Sequence, residues 1–250
     1  MLYRELEKTG QFLFRWRSFL PFLIIFVAIW FAVTQGLARE IREDLEHMWV
    51  AISMAVSCTG LLLRAFIVGC APRNTSGRTT EQQKANSLNI TGMYSMVRHP
   101  LYFANFIVFS GFVMLFQSIE FYVISALVYS AYYTRIMMAE ERFLSGRFGQ
   151  AYEDWASKTP AFWPDIRKWQ KPARPFSWKK ALRQEMPGIL LASTVFFLFE
   201  FVEDVIVEHM TLTDWYRTDH FWLDQFLAVL AGYCIVKVLR KKTSLLSISG

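Results

Sequence analysis

The sequence predicts an all-α, polytopic integral membrane protein with about six transmembrane helices. Three observations carry this. Of 250 residues, 54% are hydrophobic and 19% charged, below the roughly 25% charge of an ordinary soluble domain. Six apolar runs approach or reach the ~20 residues that cross a bilayer. The Lys and Arg residues gather in alternate connections between those runs. Paired core helices of a soluble protein would give similar runs, but four of the six carry almost no charge along them.

The runs follow in order. Phe19 to Leu37 comes after Arg4, Lys8, Arg15 and Arg17. It is long for a signal peptide and no small-x-small cleavage site follows, so a retained first span is expected. Met48 to Val68 is the second run and carries Arg64 near its end. Leu101 to Phe116 and Phe121 to Ala139 are joined by Gln117-Ser118-Ile119-Glu120, short enough to force an antiparallel hairpin. Gly188 to Val207 and Phe221 to Leu239 close the series. Three units result: two N-terminal spans over 1–68; a core over 69–183, made of a polar loop, the hairpin 101–139 and a polar segment 140–183; and two C-terminal spans with a basic tail over 184–250.

The net charge of +6 sits between apolar runs rather than on one face, which argues against nucleic acid as a partner. The N-terminal segment, the 69–98 loop, the 140–183 segment and the 240–242 tail hold 4, 4, 10 and 3 basic residues. The opposite side has Arg39, Arg42 and Arg217 among Glu40, Glu43, Asp44, Glu46, Glu208 and Asp214. The positive-inside rule therefore puts both termini in the cytoplasm. With 23 Phe, 9 Trp and 10 Met, a disordered chain, a disulfide scaffold and a collagen-like chain are excluded. Cys58, Cys70 and Cys234 are far apart and lack CxxC spacing, so no metal site is expected. His47, His209 and His220 have no ligand partner at helical spacing and read as surface residues.

The chemistry concentrates on the cytoplasmic side. Tyr94-Ser95-Met96-Val97-Arg98-His99-Pro100-Leu101-Tyr102 enters the third span, and Glu140-Glu141-Arg142-Phe143 leaves the fourth. The hairpin returns the chain to the side it left, so Arg98, His99, Glu140 and Glu141 share one depth on adjacent helix ends. Pro100 suits a first helical turn. The free N–H groups beside it make either an anion site or an interfacial cap with Arg98 reaching lipid headgroups. Arg135 lies more than a turn before Glu140, where a charge faces a cavity or snorkels to the interface; Arg64 has the same two readings. Trp155, Phe162, Trp163 and Trp169 are interfacial anchors or pocket walls.

Gly92-x-Tyr94-x-x-x-Arg98-His99-Pro100-x-Tyr102, the short hairpin, Glu140-Glu141, Phe148-Gly149-x-x-Tyr152 and Pro160-x-x-x-Pro164 resemble the isoprenylcysteine carboxyl methyltransferase and phospholipid methyltransferase family, over about residues 60–165. Thr75-Ser76-Gly77-Arg78 with Leu88 to Gly92 resembles a bacterial branch that methylates a lipid phosphate. The resemblance implies an S-adenosylmethionine-dependent enzyme with a cytoplasm-facing cofactor pocket, in a bacterial inner membrane. It implies that Asn86, Ser87, Leu88 and Asn89 run along the adenosine, that Tyr94, His99, Pro100, Leu101 and Tyr102 line the cofactor, and that Glu140 and Glu141 meet it from the fourth span. Arg135 stands, displaced by about one residue, where the family has an arginine at the acceptor end. With Arg98, Arg135 and Glu140 as the catalytic set, the two cations favour an anionic acceptor, a carboxylate or phosphate of a lipid or lipidated substrate. Two other classes compete. One is an NADPH-dependent reductase of the sterol-reductase type, which has an Asn where this chain has Leu101. The other is a non-catalytic lipid-binding membrane protein.

Overall fold

A computed structural model describes residues 9–10, 12–13, 43–72, 87–218 and 220–243. The expected first span and Asn86 lie outside the described residues. Every regular element among those described is helical. In chain order they are α1 (Glu43–Cys70), α2 (Met93–Met96), α3 (Pro100–Met114), α4 (Ile119–Phe148), α5 (Gln150–Ala156), a 3₁₀ turn (Ile166–Lys168), α6 (Trp178–Val202) continuing into a π-helical turn (Glu203–Val207), α7 (Leu212–Thr218) and α8 (Phe221–Lys242).

α1 lies at the centre, against α3 on one side and α6 on the other; α4 covers the far side of α3 and α8 the far side of α6. The α1–α3 contact is made by small residues. Ser53, Ser57 and Gly60 fall on one stripe of α1, and Ala104, Val108 and Gly111 on the facing stripe of α3. A Cβ at Gly60 would meet the Val108 backbone nitrogen at 2.7 Å, and one at Gly111 would meet the Ser53 carbonyl at 2.5 Å. Backbones this close gain dispersion contacts that longer side chains would block, which is how helices associate in lipid. Ser57 Oγ adds a hydrogen bond to the Val108 carbonyl at 3.1 Å.

Two aromatic cores flank that seam. Tyr102, Phe109, Tyr129, Tyr132 and Tyr133 fill the α3–α4 hairpin. Phe112, Phe196, Phe199 and Trp222 join α3, α6 and α8. The hairpin turns at Ser118, whose Oγ accepts from the Phe121 amide at 3.1 Å and caps α4.

Helix ends differ from the sequence-based spans. α4 continues nine residues past Ala139, to Phe148, and stops at Gly149, whose φ of 54° ends the helix. α6 starts at Trp178, capped by Ser177, and runs through Pro187 instead of starting beyond it at Gly188. Two described helices, Met48–Cys70 and Phe221–Lys242, are long and apolar enough to cross a membrane, and α3 is apolar but short.

The extra turns of α6 carry Glu185, 2% exposed. Its Oε2 accepts from Arg64 Nε at 2.8 Å and its Oε1 from Arg64 Nη2 at 3.3 Å. Arg64 Nη1 also donates to Asn105 Oδ1 of α3. Arg64 is therefore the polar joint of three helices, neither snorkelling nor facing an open cavity. Lys180 Nζ caps the C-terminus of α1 through the Ala71 carbonyl at 2.5 Å, where a cation is favoured by the helix dipole.

Candidate active site at the mouth of the hairpin

Pro100 opens α3 without needing a backbone donor, and His99 precedes it in a non-helical conformation as the N-cap. That geometry turns the imidazole toward α4 about two turns before its end, where Glu140 and Glu141 stand side by side. His99 Nε2 lies 2.9 Å from Glu141 Oε1, and Nδ1 lies 3.6 Å from Glu140 Oε2. Arg98 Nη1 meets the same Glu141 Oε1 at 2.8 Å. One carboxylate oxygen thus ties a guanidinium and an imidazole together.

His99 is 5% exposed. Burial pulls its pKa down, but hydrogen bonding and charge attraction from Glu140 and Glu141 outweigh this and hold it above the ordinary histidine value. In the charged form Nε2 donates to Glu141 Oε1, and Nδ1 faces Glu140 Oε2 as a longer ion-pair contact. Tyr94 is pushed above the ordinary tyrosine range by burial and then by the Glu140 charge; Tyr152 is raised by burial and by Glu141. Both are neutral phenols at physiological pH. The Tyr102 ring stacks on His99 at 5.6 Å and packs on Tyr133 at 5.0 Å. An aromatic file therefore leads from the mouth into the helical pair.

A strap after α5 closes the side of the site at the start of α3. Its backbone pairs with the segment before α3: Arg98 N donates to the Pro160 carbonyl at 2.8 Å, Asp165 N to Met96 O at 3.0 Å, and Gly92 N to Gln170 O at 3.1 Å. Trp155 Nε1 reaches the Tyr94 carbonyl at 3.1 Å. Gly92, at φ 62°, makes the turn that starts this pairing. Phe162 and Trp163 pack on Phe103 and Phe106 of α3. Of the two readings for the aromatic residues, Trp155 and Phe162 are walls, whereas Trp163 and Trp169 stay exposed.

The structure brings Arg98, His99, Glu140 and Glu141 together, with Tyr94 beside Glu140 and Tyr102 on His99. Pro100 and Leu101 form the first turn beneath them. Ser87 is exposed and Leu88 half-buried. Asn89 Oδ1 turns to the Thr91 amide at 3.4 Å. Arg135 does not join the cluster: its Nη1 donates to the Ala131 carbonyl of its own helix at 3.0 Å. Among the described residues, Arg98 Nε and the hydroxyl of Tyr152, which is 3% exposed, make no close hydrogen bond, although the Arg98 guanidinium lies near enough to Tyr152 to oppose the larger raising effect of burial and Glu141 on its pKa. Tyr152 belongs to the sequence motif, but its role is visible only once α5 folds it beside Arg98. Glu185 was masked in the sequence because its turn of helix lies in a polar stretch ahead of a proline. Among the described residues, no group of three or more His, Cys, Asp or Glu could hold a metal ion.

Residues 50–151 match the family model described as phospholipid methyltransferase. The chain is 39% identical over 84 residues to the nickel-cobalt-cadmium resistance protein NccN of Alcaligenes xylosoxydans xylosoxydans, covering 34% of this chain and 39% of that one. It is 34% identical over 84 residues to the cobalt-zinc-cadmium resistance protein CzcN of Cupriavidus metallidurans, covering 34% and 38%. It is 30% identical over 110 residues to the protein-S-isoprenylcysteine O-methyltransferase of Schizosaccharomyces pombe, covering 44% and 47%. The matched stretch is less than half the length of each of these relatives. No solved structure matches the chain. The part of the chain that builds the Arg98–His99–Glu140–Glu141 cluster is thus the part that is similar to the phospholipid methyltransferase family and to an isoprenylcysteine O-methyltransferase.

Proposed function

We propose that this chain is an integral-membrane enzyme that moves a methyl group from S-adenosylmethionine to an anionic oxygen of a lipid or lipidated substrate. The observation that carries the reading is the Arg98–His99–Glu140–Glu141 cluster at the start of α3, with Arg98 Nε and the Tyr152 hydroxyl beside it making no close hydrogen bond among the described residues. A buried donor without an acceptor is costly. Arg98 Nε and the Tyr152 hydroxyl are suited to a polar, negatively charged group arriving from the cytoplasm, such as an amino acid carboxylate. The cofactor fits this donor set: its carboxylate suits Arg98 and Tyr152, and its ribose or cationic end suits Glu140. The cofactor supplies an electrophilic methyl on a sulfonium.

The chain's own work is then to bind, align and dry. His99 and Glu141 hold Arg98 in place. Tyr94, Tyr102 and the strap exclude water from the mouth, and alignment with dehydration is most of what such a transfer needs. A carboxylate or phosphate acceptor is already an anion and requires no general base, whereas an amine would. Arg135, on the outer side of α4 with its guanidinium on Ala131, is the candidate to receive an acceptor entering sideways from the bilayer. The six-span arrangement with both termini in the cytoplasm, in a bacterial inner membrane, belongs to the same proposal.

Calorimetric titration of the detergent-purified protein with S-adenosylhomocysteine tests this, beside a His99→Ala, Glu140→Ala double variant. Micromolar binding that the variant loses is the expected result. A folded wild type that binds S-adenosylhomocysteine no better than the variant overturns the reading, and NADPH is the next ligand to titrate. Unchanged turnover in Arg135→Ala would remove the preference for an anionic acceptor.

A further inference from the structure

The strap that closes the site keeps an outer surface that the proposed chemistry does not use. Trp163 is 67% exposed and Ile166 is 78% exposed; Trp169, Phe176 and Trp178 are exposed as well. Between them stand Arg167, Lys168, Lys171 and Arg174, all exposed. Asp165 is the one carboxylate in this stretch, and it is already engaged, capping the Arg167 amide at 3.1 Å and lying 3.6 Å from Lys168 Nζ.

The level of this surface is fixed by its contacts. Trp163 packs on Phe103 and Phe106 in the first turns of α3. Trp169 and Phe176 stack on Phe66 near the cytoplasmic end of α1. Backbone bonds to the segment before α3 hold the strap rigidly, including Gln170 N to Ser95 Oγ at 2.9 Å and Ala173 N to Thr91 Oγ1 at 3.1 Å. The strap therefore presents an alternation of large apolar side chains and cations at the depth where the bilayer's hydrocarbon meets its headgroups. Aromatic residues prefer that depth, and cations there are attracted to a negatively charged leaflet.

We propose that residues 163–178 are a docking surface for anionic lipid headgroups of the cytoplasmic leaflet. Trp163, Ile166 and Trp178 seat in the interface, and Arg167, Lys168, Lys171 and Arg174 hold phosphate-bearing headgroups that carry net negative charge. Net charge decides between lipids: a zwitterionic headgroup offers a phosphate but also a cation, which the four basic side chains repel. The strap and the segment carrying Arg98 and His99 are one hydrogen-bonded piece, so headgroup docking holds the lid of the site. The docking itself does not depend on the methyltransferase reading.

The test uses the full chain in nanodiscs of phosphatidylcholine alone, or of phosphatidylcholine with phosphatidylglycerol. An environment-sensitive fluorophore is attached at Ile166→Cys, with Cys58, Cys70 and Cys234 replaced by Ser. The expected result is a blue shift of emission in the anionic discs that is small in neutral discs. It disappears at high salt and in the variant Arg167→Gln, Lys168→Gln, Lys171→Gln, Arg174→Gln. Equal shifts in both discs would mean that the aromatic side chains alone seat the strap; no shift in either would mean that it stands in water; a shift that survives the glutamine variant would assign the charge elsewhere. Each of these overturns the proposal. Native mass spectrometry of the unlabelled chain from mixed-lipid discs gives a second readout: wild type retains phosphatidylglycerol over phosphatidylcholine, and equal retention by the glutamine variant also overturns it.

Discussion

Replacing Arg64 by Ala isolates the polar joint of the helical bundle. Glu185 is 2% exposed and receives two hydrogen bonds from Arg64, at 2.8 and 3.3 Å; Asn105 receives a third. Arg64 lies six residues from the C-terminal end of α1, about 9 Å along the helix axis at 1.5 Å per residue. Glu185 itself is closed off from solvent. Removing one partner of a buried ion pair costs about 3–5 kcal/mol, because the remaining charge is left without compensation. That is about two to four powers of ten in the unfolding equilibrium. Replacing both partners, as Arg64→Met with Glu185→Met, removes the stranded charge and returns most of that loss. The assay is reversible denaturant unfolding in mixed micelles, followed by far-UV circular dichroism. An Arg64→Ala variant within about 1 kcal/mol of wild type, or a double variant less stable than either single one, would refute the reasoning.

Three further outcomes follow from other parts of the molecule. Gly111→Val forces a side chain between Ser53 and Ser57 of α1 and should destabilise the α1–α3 seam by at least about 1–3 kcal/mol, read as a lower midpoint in the same unfolding assay; a wild-type midpoint would mean the helices are not in contact there. Tyr152→Phe removes a hydroxyl that makes no close hydrogen bond among the described residues, so its thermal midpoint should stay within about 1 °C or rise slightly, while S-adenosylhomocysteine affinity falls about 3- to 10-fold; equal affinities would remove Tyr152 from the site. His99 has a raised pKa, so its charged form favours the fold. That stabilisation is complete below the unfolded histidine value of about 6.5 and is lost as pH rises through the higher folded value. Wild-type stability should therefore decline with rising pH above about 6.5 where His99→Gln is flatter; parallel profiles would show that His99 does not titrate against Glu140 and Glu141.

The sequence by itself determined the helical class, the hairpin and the meeting of Arg98 and His99 with Glu140 and Glu141. The physical reason is local: a turn as short as Gln117–Glu120 leaves the chain one direction to go, so residues at equal distances from the turn on the two helices must face each other. The order of motif residues also carried the family, because Pro100, Gly92 and Gly149 each mark a required backbone conformation. Only the tertiary structure decided which cations serve which purpose. Arg64 and Arg135 look alike in sequence, each a lone charge in an apolar run. Arg64 meets Glu185 because α6 begins at Trp178 and packs on α1, a contact between residues 121 apart in the chain. Arg135 instead bonds its own helix at Ala131. The same holds for the strap: residues 160–173 read as a polar and aromatic connection until their backbone pairs with residues 91–99. Pairings at that distance depend on the helices being packed first, and no spacing within either segment encodes them.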